Sequence, residues 1–189
     1  MSDLRAGVIG VGYLGNFHAE KYQKIPGVQL VGVVDTNPER AERVAYRYGV
    51  KAYKDYKELL PNINLVSIVV PSVKHYPVAK DCLNAGIHCL VEKPLTELVP
   101  HATELIATAR QKKVVLQVGH LERFNPVARK ISTLVKFPEI VRARRFSQYQ
   151  PRGTETDVIL DLMIHDLDIV LSLAKGDLLF FFLQSFPNC

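Results

Sequence analysis

Short runs of uninterrupted apolar residues alternate with longer segments of helical period over the first two-thirds of the chain. Leu4 to Gly10, Val28 to Val34, Leu65 to Val70, Ile87 to Val91 and Val114 to Val118 are nearly all apolar, with a shorter run at Val50 to Tyr53. Runs of this kind read as strands covered on both faces, the condition of a parallel sheet. Between them, Leu14 to Ile25, Glu39 to Tyr48, His75 to Ala85 and Leu98 to Lys112 read as helices, and Tyr56 to Leu60 as a helical turn. Strand and helix in strict alternation predict an α/β fold, a doubly wound parallel sheet of the Rossmann type.

The pattern changes after Val118. Gly119 to Pro126 is a polar turn, read as the hinge out of the first domain, and Val127 to about Val135 a helix. Ile140 to Tyr149 alternates as a strand would, Pro151 to Thr156 reads as a loop, and Val158 to Leu173 as a helix. The expected domains are therefore 1–120 and 121–189. Leu178 to Leu183 is apolar with neither strand alternation nor a helical period, so it is expected to favour association or aggregation.

Chemistry enters at the first turn. Gly10, Gly12 and Gly15 have the G-x-G-x-x-G spacing that follows a strand and opens a helix: one glycine for the tight turn, one for close approach of a pyrophosphate, one for helix against strand. The phosphates would sit on the free N–H groups where the helix begins, near Tyr13 and Leu14. Asp35 closes the second strand 20 positions beyond Gly15, where a dinucleotide fold places the acid that accepts bonds from ribose hydroxyls. Its charge repels a 2′-phosphate, and Thr36-Asn37-Pro38 supplies no adjacent cation, so NAD is expected over NADP. The competing role for Asp35 is to cap the helix that starts at Pro38.

Pro71 ends the fourth strand at the same sheet edge, and His75 opens the next helix, either as a ligand contact or as a structural residue. The fifth strand ends in Glu92-Lys93-Pro94. Proline restrains the residue before it, so Lys93 is held at the strand end where open α/β sheets bind ligands; the bland alternative is an exposed surface lysine. Asp161, His165 and Asp168 recur on one face of the last helix. A carboxylate one turn from a histidine suits a proton acceptor, and a solvated polar face is the alternative.

Charge and cysteine usage narrow the classes without adding a site. A net charge of +5, spread along the chain, suits an anionic small molecule better than nucleic acid. Its densest cluster, Arg142, Arg144 and Arg145, reads equally as a solvated strand face. Cys82, Cys89 and Cys189 are too few and too irregular for a disulfide framework or a zinc site, so no metal is expected. No apolar run reaches bilayer length and no signal peptide is evident, which favours the cytoplasm with no membrane partner.

Taken in order, Gly10-x-Gly12-x-x-Gly15, Asp35, Glu92-Lys93-Pro94 and Asp161-x-x-x-His165 resemble the Gfo/Idh/MocA oxidoreductases. The resemblance implies an N-terminal Rossmann domain for NAD or NADP and a C-terminal α/β domain built on an open sheet, here only begun because about 16 residues follow Leu173. It implies hydride transfer from a sugar hydroxyl carbon to nicotinamide, with Lys93 and His165 as catalytic residues and Asp161 supporting the histidine. The cofactor contacts implied are Gly10, Gly12, Tyr13, Leu14 and Asp35, then Pro71, Glu92 and Lys93.

Gly119 to Pro126 and Asp157 to Asp168 look like the branch acting on UDP-linked amino sugars. In that branch Arg123, Asn125 and Arg152 would join Lys93 and His165 at the substrate. Thr154-Glu155-Thr156-Asp157 stands where other members have a glycine-rich run, which weakens a free inositol or glucose as substrate. A partial second sheet would favour homo-oligomers. The alternative to an active dehydrogenase is a shortened, non-catalytic NAD-binding remnant or sensor.

Overall fold

The computed structural model describes residues 4–136, 138–144 and 159–174. The chain divides into two units, Met1–Gly119 and His120–Cys189, each described by itself.

The first unit is a six-stranded parallel sheet. Its strands are β1 (Leu4–Ile9), β2 (Val28–Val34), β3 (Lys51–Tyr53), β4 (Leu65–Ile68), β5 (His88–Val91) and β6 (Leu116–Val118), in the spatial order β3-β2-β1-β4-β5-β6. All five pairings are parallel. Order reverses at β1, whose neighbours are β2 on one side and β4 on the other, so the carboxyl ends of β1 and β4 mark the switch point where such sheets bind ligands.

Helices cover both faces because both sets of alternating side chains are apolar. On one face Ala6, Val8, Leu30 and Val33 pack with Ala19 and Tyr22 of α1 (Tyr13–Lys24) and with Val44 and Ala45 of α2 (Pro38–Tyr48). On the other, Ile9, Val66, Ile68, Cys89 and Val91 pack with Leu59 of α3 (Tyr56–Leu59), with Val78, Ala79, Cys82 and Leu83 of α4 (His75–Asn84), and with Leu105 and Ala109 of α5 (Val99–Lys112).

The helix ends follow local chemistry. Asn37 caps α2 by accepting the Arg40 N–H at 3.0 Å, and Pro38 occupies the first helical position, where its missing N–H costs nothing. The predicted strands are each present, most of them a residue or two shorter: the run at Leu65 to Val70 pairs only to Ile68, and Val114 to Val118 only from Leu116.

In the second unit the regular elements among the described residues are helical. A 3-10 turn at Leu121–Phe124 leads into α6 (Pro126–Leu134), capped by Asn125, which accepts the Val127 N–H at 3.0 Å. Two expectations change here. Ile140 to Arg144, the described part of the predicted strand, has no regular structure. The predicted helix at Val158 to Leu173 begins with a π-turn at Ile159–Met163 before α7 (Ile164–Leu173), so its first turn is wider than the α-helical spacing assumed. Arg152, Asp157 and the apolar stretch at Leu178 to Leu183 lie outside the described residues. Among the described residues no helix is long and apolar enough to cross a membrane.

Leu105 is fully buried and is the larger of the two buried residues of α5. Leu105→Ala is expected to lower unfolding stability by about 2–5 kcal/mol, the range for a leucine truncated in a packed core. Urea unfolding followed by circular dichroism measures it.

Candidate functional site

The three glycines of the first turn divide their work. Gly10 has φ +87°, and a Cβ there would lie 2.3 Å from the Val69 carbonyl oxygen. A Cβ on Gly15 would lie 1.8 Å from the Gly10 carbonyl oxygen, so α1 starts hard against the strand it follows. Gly12 is different: a Cβ there would meet only Arg40 Nη1, at 3.9 Å. Space is left at Gly12, while the other two glycines create the turn. Gly12 is also the N-cap of α1 and has no side chain to occupy the first-turn N–H groups, which therefore carry no side-chain cap. Tyr13 and Leu14 are both exposed.

Asp35 holds the turn to the neighbouring strand. Its Oδ2 accepts the Val11 N–H at 2.9 Å and its Oδ1 the Asn37 N–H at 2.9 Å, and the residue is buried. The helix cap is Asn37, so the capping role considered for Asp35 does not apply. The expectation that no cation stands nearby is corrected as well. Arg40, in the first turn of α2, places Nη1 3.4 Å from each Asp35 oxygen. A cleft of about 770 Å³ opens beside Gly12, lined by Tyr13, Phe17, Arg40, Arg43, Tyr46 and Arg47 among others. Its basic lining gives this corner a potential that suits a phosphate-bearing ligand.

The end of β5 is held from several sides. Glu92 is buried, and its Oε1 accepts from His18 Nε2 at 3.0 Å. A carboxylate only accepts, so the His18 proton is on Nε2. Nδ1 shares a 3.0 Å hydrogen bond with Ser67 Oγ, and Ser67 Oγ a 2.7 Å hydrogen bond with the Tyr22 hydroxyl. The chain Tyr22, Ser67, His18, Glu92 is thus hydrogen-bonded from α1 through β4 to the end of β5.

Burial pushes the Glu92 carboxyl up, but the His18 ring and the Lys93 N–H outweigh it and hold the group below the ordinary glutamate value. Burial likewise pushes the Tyr22 phenol up. Gly119, at the exit of β6, packs so closely that a Cβ would lie 2.9 Å from Glu92 Oε1. Lys93 is half-buried, not the freely exposed lysine considered as the alternative, and Pro94 behind it is buried. Pro71 is exposed, and its carbonyl accepts the Lys74 N–H at 2.8 Å.

In the second unit Asp161 lies in the π-turn and His165 is the second residue of α7, both half-buried. Asp168, the third member of the predicted polar stripe, is buried and accepts from Arg123 Nε and Nη2 at 2.6 Å each. Its hydrogen bond to Asp168 raises the Arg123 pKa. The bidentate fork ties the 3-10 turn to α7. The Asn125 side chain is engaged in the α6 cap, and its amide donates to Glu122 Oε2 at 3.1 Å.

Three participants escaped the sequence reading: Arg40, His18 and the Asp168 partner of Arg123. Arg40 sits three positions after the Asn37 cap, which turns it back toward Asp35. His18 is a polar residue on the sheet-facing side of α1 that also carries Gly15, Ala19 and Tyr22, a departure from an apolar face that could have been noticed.

Residues 4–120 match the family described as "Oxidoreductase family, NAD-binding Rossmann fold". The chain is 43% identical over 178 residues to UDP-N-acetylglucosamine 3-dehydrogenase of Acidithiobacillus ferrooxidans, covering 94% of this chain and 56% of that one. A solved structure of that enzyme superposes with a TM-score of 0.86 at 42% identity, again over 94% and 56% of the two chains. An inositol 2-dehydrogenase of Rubrobacter xylanophilus is 31% identical over 87% of this chain and 50% of its own. GenD2 from gentamicin A biosynthesis, solved in complex with NAD, is 31% identical with a TM-score of 0.69 over 71% of this chain and 39% of its own. The chain spans about half the length of the curated relatives it matches.

Because the native Glu92 pKa lies below the ordinary value of 4.5, its contribution to stability is full above that pH and is lost as pH falls through the depressed native value. Glu92→Gln is expected to cost about 1–3 kcal/mol near neutrality. The gap between variant and parent should close in acid. Urea unfolding across a pH series checks both the margin and its closing.

Proposed function

The chain belongs to the Gfo/Idh/MocA oxidoreductase family, and from that premise we propose that it binds NAD and serves the oxidation of a hydroxyl on a nucleotide-linked amino sugar. The observation that carries the cofactor part is the open space above Gly12, flanked by uncapped N–H groups and by the fixed Asp35 carboxylate. The pyrophosphate would lie on the α1 N-terminus and the adenosine ribose against Asp35. Pro71 and Glu92 would border the cofactor at the ends of β4 and β5. NAD is favoured because Asp35 repels a 2′-phosphate. Arg40 moderates that repulsion, so the discrimination is smaller than an unpaired Asp35 would give.

When bound, nicotinamide accepts the hydride from the carbinol carbon. Lys93, held half-buried at the strand end, stabilises negative charge developing on the substrate oxygen, and His165 takes the hydroxyl proton with Asp161 supporting its basicity. The substrate class rests on the likeness to the UDP-N-acetylglucosamine 3-dehydrogenase. Arg123 and Asn125 have their side chains engaged in the second unit, so their part in recognition is to shape that unit. Arg152 is proposed as a further substrate contact.

Calorimetric titration with NAD and NADP tests the cofactor reading. NAD should bind about tenfold tighter than NADP, a difference of about 1.4 kcal/mol. Arg40→Ala should weaken NADP more than NAD. Gly12→Ala should weaken both without changing unfolding stability. Binding of neither dinucleotide would refute the reading.

A panel of nucleotide sugars monitored for NADH formation tests the chemistry. Lys93→Ala and His165→Ala should each lower turnover by about 10²–10⁴-fold with NAD affinity retained. An inactive parent that still binds NAD would favour the non-catalytic alternative.

A further inference from the structure

His75 is 1% exposed at the start of α4, and both of its ring nitrogens face carbonyl oxygens. Nδ1 lies 2.6 Å from the Pro94 oxygen and Nε2 lies 2.9 Å from the Val70 oxygen. A carbonyl oxygen only accepts, and a neutral imidazole carries one N–H. At these distances the unprotonated nitrogen of a neutral ring would set its lone pair against a carbonyl lone pair. Both contacts are satisfied only if both nitrogens carry hydrogen. His18 shows the opposite case, since Ser67 can donate to its second nitrogen and a neutral ring satisfies every partner.

The two carbonyls belong to the segments that follow β4 and β5 at the ligand-binding edge of the sheet. Lys93 is therefore bracketed. On one side stands Glu92, held by His18, and on the other Pro94, held by His75. We propose that His75 is a buried imidazolium that clamps the ends of β4 and β5 together and acts as the positioning residue for Lys93. Its importance for turnover rests on the function proposed above, whereas its charge and clamping are properties of the fold.

The charged and titratable groups around it come from every element that packs on α4. Glu92, the residue after β5, is bonded to His18, and the His75 ring adds to the effects that hold its carboxyl low. Lys74 precedes His75 in the chain, and Lys93 and Glu97 stand in the segment after β5, with Glu97 accepting from Ser72 Oγ at 2.9 Å. From α5 come His101, stacked on Tyr76, and Glu104, paired with Lys80 at 2.7 Å. Loss of the ring proton would free one carbonyl and leave the two strand ends joined only through the sheet.

Ring-nitrogen NMR of the ¹⁵N-histidine-labelled full chain at neutral pH tests the charge, with His75→Asn supplying the assignment. Both His75 nitrogens should carry a proton, and a single protonated nitrogen would overturn the proposal. Hydrogen exchange tests the clamp: in His75→Asn, amides of the segments ending β4 and β5 should exchange about tenfold faster, while β1 and β2 stay unchanged. Equal exchange in variant and parent would also overturn it.

If His75→Asn does not fold, His75→Gln serves for the exchange measurement and the NMR result on the parent still decides the charge. Where the parent turns over, kcat should fall about tenfold with KM unchanged. A parent that binds no dinucleotide would sink the proposed function and leave the NMR and exchange outcomes to judge the clamp.

Discussion

The contact on which the first unit depends is between a backbone carbonyl and a helix with no side chain between them. The Gly10 oxygen occupies the place where a Gly15 methyl would stand. Because nothing separates them, α1 begins directly at the end of β1, its first-turn N–H groups reach the switch point of the sheet, and its sheet-facing side brings His18 within reach of Glu92. Moving the helix outward by the thickness of one methyl would disturb all of these together. The packing is steric, and the hydrogen bond from Val11 to Asp35 fixes its orientation.

Much of this unit was legible because covering a parallel sheet on both faces leaves a plain trace. Val8 and Val33 on one face and Ile9, Val66, Ile68, Cys89 and Val91 on the other are all buried, so the strands read as apolar runs with few polar interruptions. The ends of strands were less legible. Val69 and Val70 are as apolar as the residues before them, yet they leave the ladder to form the ligand-side edge, and apolar character alone does not mark that change. Side chains that act across long separations were the least legible. The His18 to Glu92 bond joins residues 74 positions apart, and no local pattern announces it. In the second unit the Asp161, His165 and Asp168 spacing suggested one polar stripe, but a π-turn lies under its first member and Arg123 claims its last.

Charge is distributed in opposite ways at the two ends of the proposed cofactor path. At Asp35 a buried carboxylate is fixed by two backbone N–H groups and faced by an arginine, an arrangement that holds one charge in place and tempers it. At the end of β5 a buried carboxylate is faced by the His18 ring. The first is fixed by backbone donors, and the second by a side-chain partner 74 positions away in the chain.

Gly119 lends this arrangement a further property. With a Cβ position 2.9 Å from the Glu92 carboxylate, a side chain at 119 would have to displace the Glu92 carboxylate. That displacement would strand His18 without its acceptor. The empty space at Gly119 is thus what lets Glu92 keep its bond to His18.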